Sequence, residues 1–229
     1  MANDESRVRS INPELPPAIS QEISTRLEEI SKLLAAVARE TQGINRHRYS
    51  RNLSCVEELV EALAFAHYLK TQSLVSLEEV RYIMDELAMS GAAEQGAEET
   101  EKEAAPATKG EDTVYLTSED YLYGIFDLSG EMMRFATTTT ALTGKLATSG
   151  EQSQLPRTIV QDMQELGSFF AMLPQVGGRA WDTKMNTLRA SVSKVEKLGY
   201  GITVRGNERG KGWVPDMAAD DRGDELADD

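Results

Sequence analysis

From Ile19 to about Glu40 the apolar residues Ile23, Leu27, Ile30, Leu33, Leu34 and Val37 return every three or four positions. That is the period of a helix with one buried face. Pro16 and Pro17 precede the run and Gly43 follows it, which are fitting start and stop signals. A second helix is expected from the region Asn45–Leu53 to about Thr71, opening on the basic stretch RHRYSR. Ser76 with Glu79 makes a capping-box pattern that opens a third, Leu77 to about Met89. Order resumes at Val114, where Thr117 or Ser118 can cap a long helix reaching about Lys145. Pro156 suits the first position of a fifth helix, to about Leu173. A sixth runs from near Ala180 to Val204 on the stripe Trp181, Met185, Leu188, Val192, Val195 and Leu198. No stretch alternates apolar and polar residues over a useful length, and no internal repeat stands out. The expectation is an all-α antiparallel bundle of about six helices.

Between these runs the chain loses periodicity, and charge explains where. From Glu94 to Asp112 there are seven acids against Lys102 and Lys109, and from Asp216 to Asp229 seven acids against Arg222. Those segments hold eleven of the fourteen excess negative charges, so the helical part is nearly balanced and its surface has room for basic patches. Residues 1–17 are expected as a flexible start, 18–210 as the helical domain with a disordered acidic loop at 90–112, and 211–229 as a disordered acidic tail. The single Cys55 excludes an internal disulfide framework, and burial as a small packed thiol is expected. With no membrane-length apolar stretch and a polar start unlike a secretory signal, a soluble protein of cytoplasm or nucleus is expected.

Two of the helical segments carry paired acids among residues that seek burial. Glu58 and Glu61 lie in EELVEALAF, flanked by Val56, Leu59, Val60, Leu63, Ala64 and Tyr68. Asp127 and Glu131 lie in YLYGIFDLSGEMMRF, flanked by Tyr121, Leu122, Ile125, Phe126, Leu128, Met132 and Phe135. Residues three or four apart share a helix face, and acids on a core-facing stripe are costly unless paired or bound to a cation. Four oxygen donors of this kind suit a hard cation, Mg2+ or Mn2+, and so metal-dependent chemistry on a phosphate ester. The plainer alternative is an ordinary solvated helix face. Other motifs fail: GNERGKGW and LTGK lack the context of a phosphate-binding loop, and His47 and His67 with no Glu-x-x-His argue against a di-iron bundle.

The stretches EELVEALAFAHYLKTQSLVSLEEV, TSEDYLYGIFDLSGEMMRF and SVSKVEKLGYGITVRG, in this order and spacing, resemble the translin superfamily over about residues 20–210. The resemblance implies an all-α translin-type bundle. It also implies the superfamily's catalytic branch, which forms a hetero-octamer with translin and is a metal-dependent endoribonuclease on single-stranded RNA, such as passenger-strand and tRNA-processing fragments. The family's acidic ligands fall on Glu58 and Glu61 in the E-x-x-E element and on Asp127 and Glu131 in the D-L-[ST]-G-E element. Translin itself lacks this full set. Gly130, inside the second element, permits either close approach of a metal or phosphate or close helix packing. Family members begin with a further long helix for which the residues before Ile19 are too few. Its loss is expected to leave part of the Ile23, Leu27, Ile30, Leu34 stripe uncovered, so that the chain alone self-associates.

RNA hydrolysis requires an aligned nucleophile and relief of charge on the phosphate, both of which a divalent ion supplies. A carboxylate that does not ligate directly, Glu131 or Glu61, is the candidate general base. RNA backbone contacts are expected from Arg46, Arg48 and Arg51, from Lys70 and from Arg134. The rival reading is a non-catalytic helical subunit that binds translin or RNA, its carboxylates merely structural.

Overall fold

A computed structural model describes residues 10–11, 15–38, 40–41, 43–49, 54–98, 114–148, 156–174 and 178–205. The described residues form seven α-helices and no strand: α1 (Pro17–Ala38), α2 (Ile44–Tyr49), α3 (Cys55–Thr71), α4 (Leu77–Glu98), α5 (Ser118–Thr143), α6 (Ile159–Met172) and α7 (Arg179–Tyr200). A π-helical segment, Gly201–Arg205, continues α7. The all-α expectation holds. The chain divides into two compact units at a point inside α5, after Ile125.

In the first unit, α4 starts on the expected capping box. The Ser76 amide donates to Glu79 Oε2 at 2.8 Å and the Glu79 amide to Ser76 Oγ at 3.2 Å. The Ser76 amide first, then the Ser76 hydroxyl donating to the same Oε2 at 2.8 Å, hold Glu79 below the usual carboxylate range. The helix then runs on through Glu98, nine residues beyond the expected stop at Met89 and into the segment read as disordered. Two forces carry it. Ala and Glu are strong helix formers even without apolar periodicity, and Gly91 presses against α1, where a Cβ would stand 2.1 Å from the Ser31 carbonyl oxygen. This intimacy also shifts the buried face of α1. Ser31, Leu34 and Ala38 are buried, whereas Leu33 and Val37, placed on the expected stripe, are exposed. A close helix contact selects small residues, which a search for large apolar ones passes over. Ile23, Leu27 and Ile30 are half-buried.

Within the span expected as one helix from 45 to 71, the described residues form two elements, α2 and α3, which makes seven helices among the described residues where six were expected. The stripe of α3, Val56, Val60, Ala64 and Tyr68, is buried, whereas on α2 Ile44 is 84% and Tyr49 40% exposed. Cys55, the first residue of α3, is exposed rather than packed, because its neighbour Val56 takes the inward position.

The connection into α5 is tied down by polar groups. Arg81 donates to the Leu116 carbonyl at 3.2 Å, and the Tyr121 hydroxyl donates to the Val75 carbonyl at 2.7 Å. Burial first, then Glu78 and Glu79, pushes the Tyr121 phenol up. Thr117 is the cap of α5, exchanging bonds of 2.9 Å with Asp120. One turn later Gly124 meets α3, where an added Cβ would lie 2.6 Å from Val60 Cβ and 2.8 Å from the Glu57 carbonyl oxygen. The helix ends at Thr143, with Gly144 at φ +69° donating its amide to the Thr140 carbonyl at 2.8 Å.

In the second unit α6 begins at Ile159 and not at Pro156. Thr158 and Gln161 form a capping box that sequence reading overlooked, and the Ile159 amide donates to Ala147 at 3.1 Å. The expected α7 stripe is largely as read, with Trp181, Met185, Leu188, Val195 and Leu198 buried and Ser191 joining them, while Val192 is half-buried. Gly199 lets α6 approach, its hypothetical Cβ standing 2.8 Å from Val160 Cγ2. The flexible start, most of the acidic loop and the acidic tail fall outside the described residues.

Two glycine substitutions on α5 should have opposite effects in thermal melts. Gly124→Ala overpacks the α3 contact and should cost about 1–3 kcal/mol. Gly130→Ala meets no atom within 4 Å and should stabilise by up to about 1 kcal/mol through helix propensity. Equal melting temperatures for the two variants would count against this packing.

Candidate functional site

The expected acids stand beside the core stripes and not within them. On α3 the buried positions are Val56, Val60, Ala64 and Tyr68, so Glu58 is exposed and Glu61 half-buried. On α5 the buried run is Ile125, Phe126, Leu128, Ser129, Met132 and Ala136, leaving Asp127 and Glu131 partly open, with side chains 37% and 32% exposed. The expectation that the acids lie on core-facing stripes is therefore corrected: these mostly apolar residues occupy the stripes, and the acids flank them. Glu58 and Glu61 lie in the first unit, Asp127 and Glu131 in the second.

Asp127 is positioned by its neighbour. The buried Phe126 ring sits 4.0 Å from that of Phe170 on α6 and meets Trp181 of α7 edge-on at 5.1 Å. Trp181 and Lys184 are three residues apart on one face of α7, so the aromatic contact brings Lys184 to the next residue of α5. Its Nζ donates to Asp127 Oδ2 at 2.6 Å. Glu131 has a local cation, Arg134 of the same helix, at 3.4 Å. Ser129, buried between them in sequence, returns its hydroxyl to the Phe126 carbonyl at 2.7 Å. Gly130 has open space where a side chain would be, so close helix packing does not account for it.

Sequence reasoning missed Lys184. Its one visible signal is a cation three residues after a core tryptophan, and nothing local links position 184 to 127. The proposed RNA-contacting residues are spread over several elements. Arg48 on α2 is exposed and lies over the Tyr49 ring, with Cζ 5.8 Å from the centroid. Lys70 is exposed in the last turn of α3, and Arg134 is exposed on α5. The Arg46 side chain and Arg51 lie outside the described residues.

Among the described residues no three Asp, Glu, His or Cys side chains are grouped to hold a metal ion. The donor type nevertheless fits Mg2+ or Mn2+. Mg2+ usually keeps several waters and is bound through one or two carboxylates plus substrate phosphates, and each acidic pair offers that number. No described helix is long and apolar enough to cross a membrane.

A helical bundle with a paired-acid element on each of two helices is the class of protein defined so far. Residues 3–206 match the model of the Translin family. The chain belongs to the translin family. It is similar to Translin-associated protein X of Mus musculus, 30% identical over 207 residues, and to that of Rattus norvegicus, 29% identical over 206, each alignment covering 87% of this chain. It spans 66%, just under two thirds, of those relatives' length. The all-α, translin-type architecture expected from the sequence is borne out by the seven helices together with this family match.

Because Phe126 is 2% exposed and contacts two rings, Phe126→Ala should destabilise by about 3–5 kcal/mol. A lower denaturant midpoint is the expected readout. A loss under about 1 kcal/mol would show that this cluster does not anchor α5.

Proposed function

We propose that this chain is the hydrolytic subunit of a translin-containing ribonuclease that cuts single-stranded RNA with the help of Mg2+ or Mn2+. The observation that carries the reading is the pair of acidic elements, Glu58 with Glu61 and Asp127 with Glu131, standing partly solvent-accessible on well-packed helices in a translin-family chain. In this reading carboxylates of these acidic elements would hold the ion, apart from the one, Glu61 or Glu131, that does not ligate directly. When bound, it would acidify a water and neutralise charge on the phosphate. The chain's own contributions are distinct. Glu61 or Glu131 takes a proton from the attacking water. Arg48, Lys70 and Arg134, with Arg46 and Arg51, hold RNA phosphates, and the open face at Gly130 admits one close to the helix backbone. Translin is the proposed partner, in a hetero-octamer, and the relatives' name, Translin-associated protein X, supports that association. Passenger-strand and tRNA-processing fragments are the proposed substrates, and cytoplasm or nucleus the proposed location. A non-catalytic subunit is the alternative, favoured by the cation that each of Asp127 and Glu131 already has beside it.

The deciding experiment is RNA cleavage by the chain co-purified with translin, with and without Mg2+. Asp127→Ala and Glu58→Ala should each abolish Mg2+-dependent cleavage while leaving assembly and helicity intact. Cleavage retained in both would move the active site elsewhere. Arg134→Ala should weaken RNA binding evenly across sequences and lower the salt slope by about one, as expected for loss of one phosphate contact. An unchanged slope would remove Arg134 from the RNA path.

A further inference from the structure

Lys184 comes from a distant part of the chain and meets one of the four acids, Asp127. Its side chain is only 22% exposed, whereas the Arg134 side chain beside Glu131 is 75% exposed. The pair is also built in register with a rigid contact. Phe126 and Trp181 pack edge-to-face one residue before Asp127 and three residues before Lys184, so the ammonium is delivered to the carboxylate by the core itself. Exposed lysines that merely solubilise a helix are not held this way.

We propose that Lys184 holds Asp127 in the absence of metal, as a stand-in for the divalent ion, and that it turns to an RNA phosphate once the ion takes that carboxylate. The inference rests on the reading of Asp127 as a metal ligand and deepens it. Lysine suits the task. A divalent ion on an Asp127 oxygen removes the attraction that holds the ammonium and adds repulsion from a like charge. The four-carbon stem then lets the ammonium swing away. The substrate phosphate drawn to the same ion offers it a new anion. No bond is made or broken in this exchange. Lys184 is thus a positioning residue for the empty site and a binding residue for the RNA.

The two roles predict effects of opposite sign, which a merely structural ion pair does not. In the full-length chain, Lys184→Gln frees an oxygen ligand and removes a neighbouring positive charge. Mn2+ followed by electron paramagnetic resonance should bind about twofold to fivefold tighter, the range expected for a partly exposed ion pair. The same variant should bind a labelled oligouridylate about threefold to tenfold more weakly, with Ca2+ present to avoid cleavage and a salt slope smaller by about one. Lys184→Arg keeps the charge and should bring RNA affinity back to within about twofold of the parent. In the unmodified chain, acetylation of Lys184 read by mass spectrometry should rise on adding Mg2+ and fall again on adding RNA, a measurement that needs no variant to fold.

Mn2+ affinity unchanged or weakened in Lys184→Gln, or acetylation indifferent to Mg2+, overturns the proposal. Asp127→Ala separates the causes of failure. If that variant loses Mn2+ binding while Lys184→Gln leaves it unchanged, only the role of Lys184 falls. If Asp127→Ala binds Mn2+ as well as the parent, the metal reading of Asp127 falls and the role of Lys184 with it.

Discussion

Helices in this protein are held by contacts too close for side chains. At Gly124 the backbone of α5 rests on Val60 and on the Glu57 carbonyl, and at Gly91 the backbone of α4 rests on the Ser31 carbonyl, at separations no Cβ can occupy. Such contacts fix the axial position and rotation of a helix more narrowly than leucine-on-leucine packing, because a steric wall on both sides leaves one register. The cost is a glycine inside a helix, which the extra packing offsets. Everything else in the first unit follows from that register: the turn of α3 that buries Val56, Val60, Ala64 and Tyr68, and the sideways placement of Glu58 and Glu61.

In the second unit large rings do the same work. Phe126, Phe170 and Trp181 join α5, α6 and α7, and the polar pair Lys184–Asp127 stands next to that cluster. A half-buried ion pair beside a rigid apolar anchor has its geometry set by the anchor, so its own contribution to stability matters less than its position. Partly open carboxylates can accept a hard ion without the desolvation penalty of a fully buried site. A fully buried acid pair would have been a strained core feature closed to solvent, whereas placement beside the stripe leaves the carboxylates accessible.

The legible parts of the fold were those written locally. The Ser76–Glu79 cap, Thr117 as one of two cap candidates, the α7 stripe and the all-α class each depend on residues within a turn or two of one another. The misread parts depended on a partner. The Ala, Glu and Gly of residues 90–98 look structureless in isolation and become helix where Gly91 can lie against α1. Leu33 and Val37 look like core residues until Ser31 and Ala38 turn out to be the ones that fit.

The same division runs through the site. Acids three or four apart on a helix share a side whatever the fold, so the two pairs were visible from spacing alone, and their resemblance to a known family's elements could be read as text. Whether those acids face the core, flank it or face water depends on which stripe the neighbouring helices bury. Lys184 reaches Asp127 only because two aromatic residues far apart in the chain meet. Short-range covalent geometry is encoded residue by residue, whereas contacts between distant positions arise from burial and shape complementarity, which only the packed tertiary structure decides.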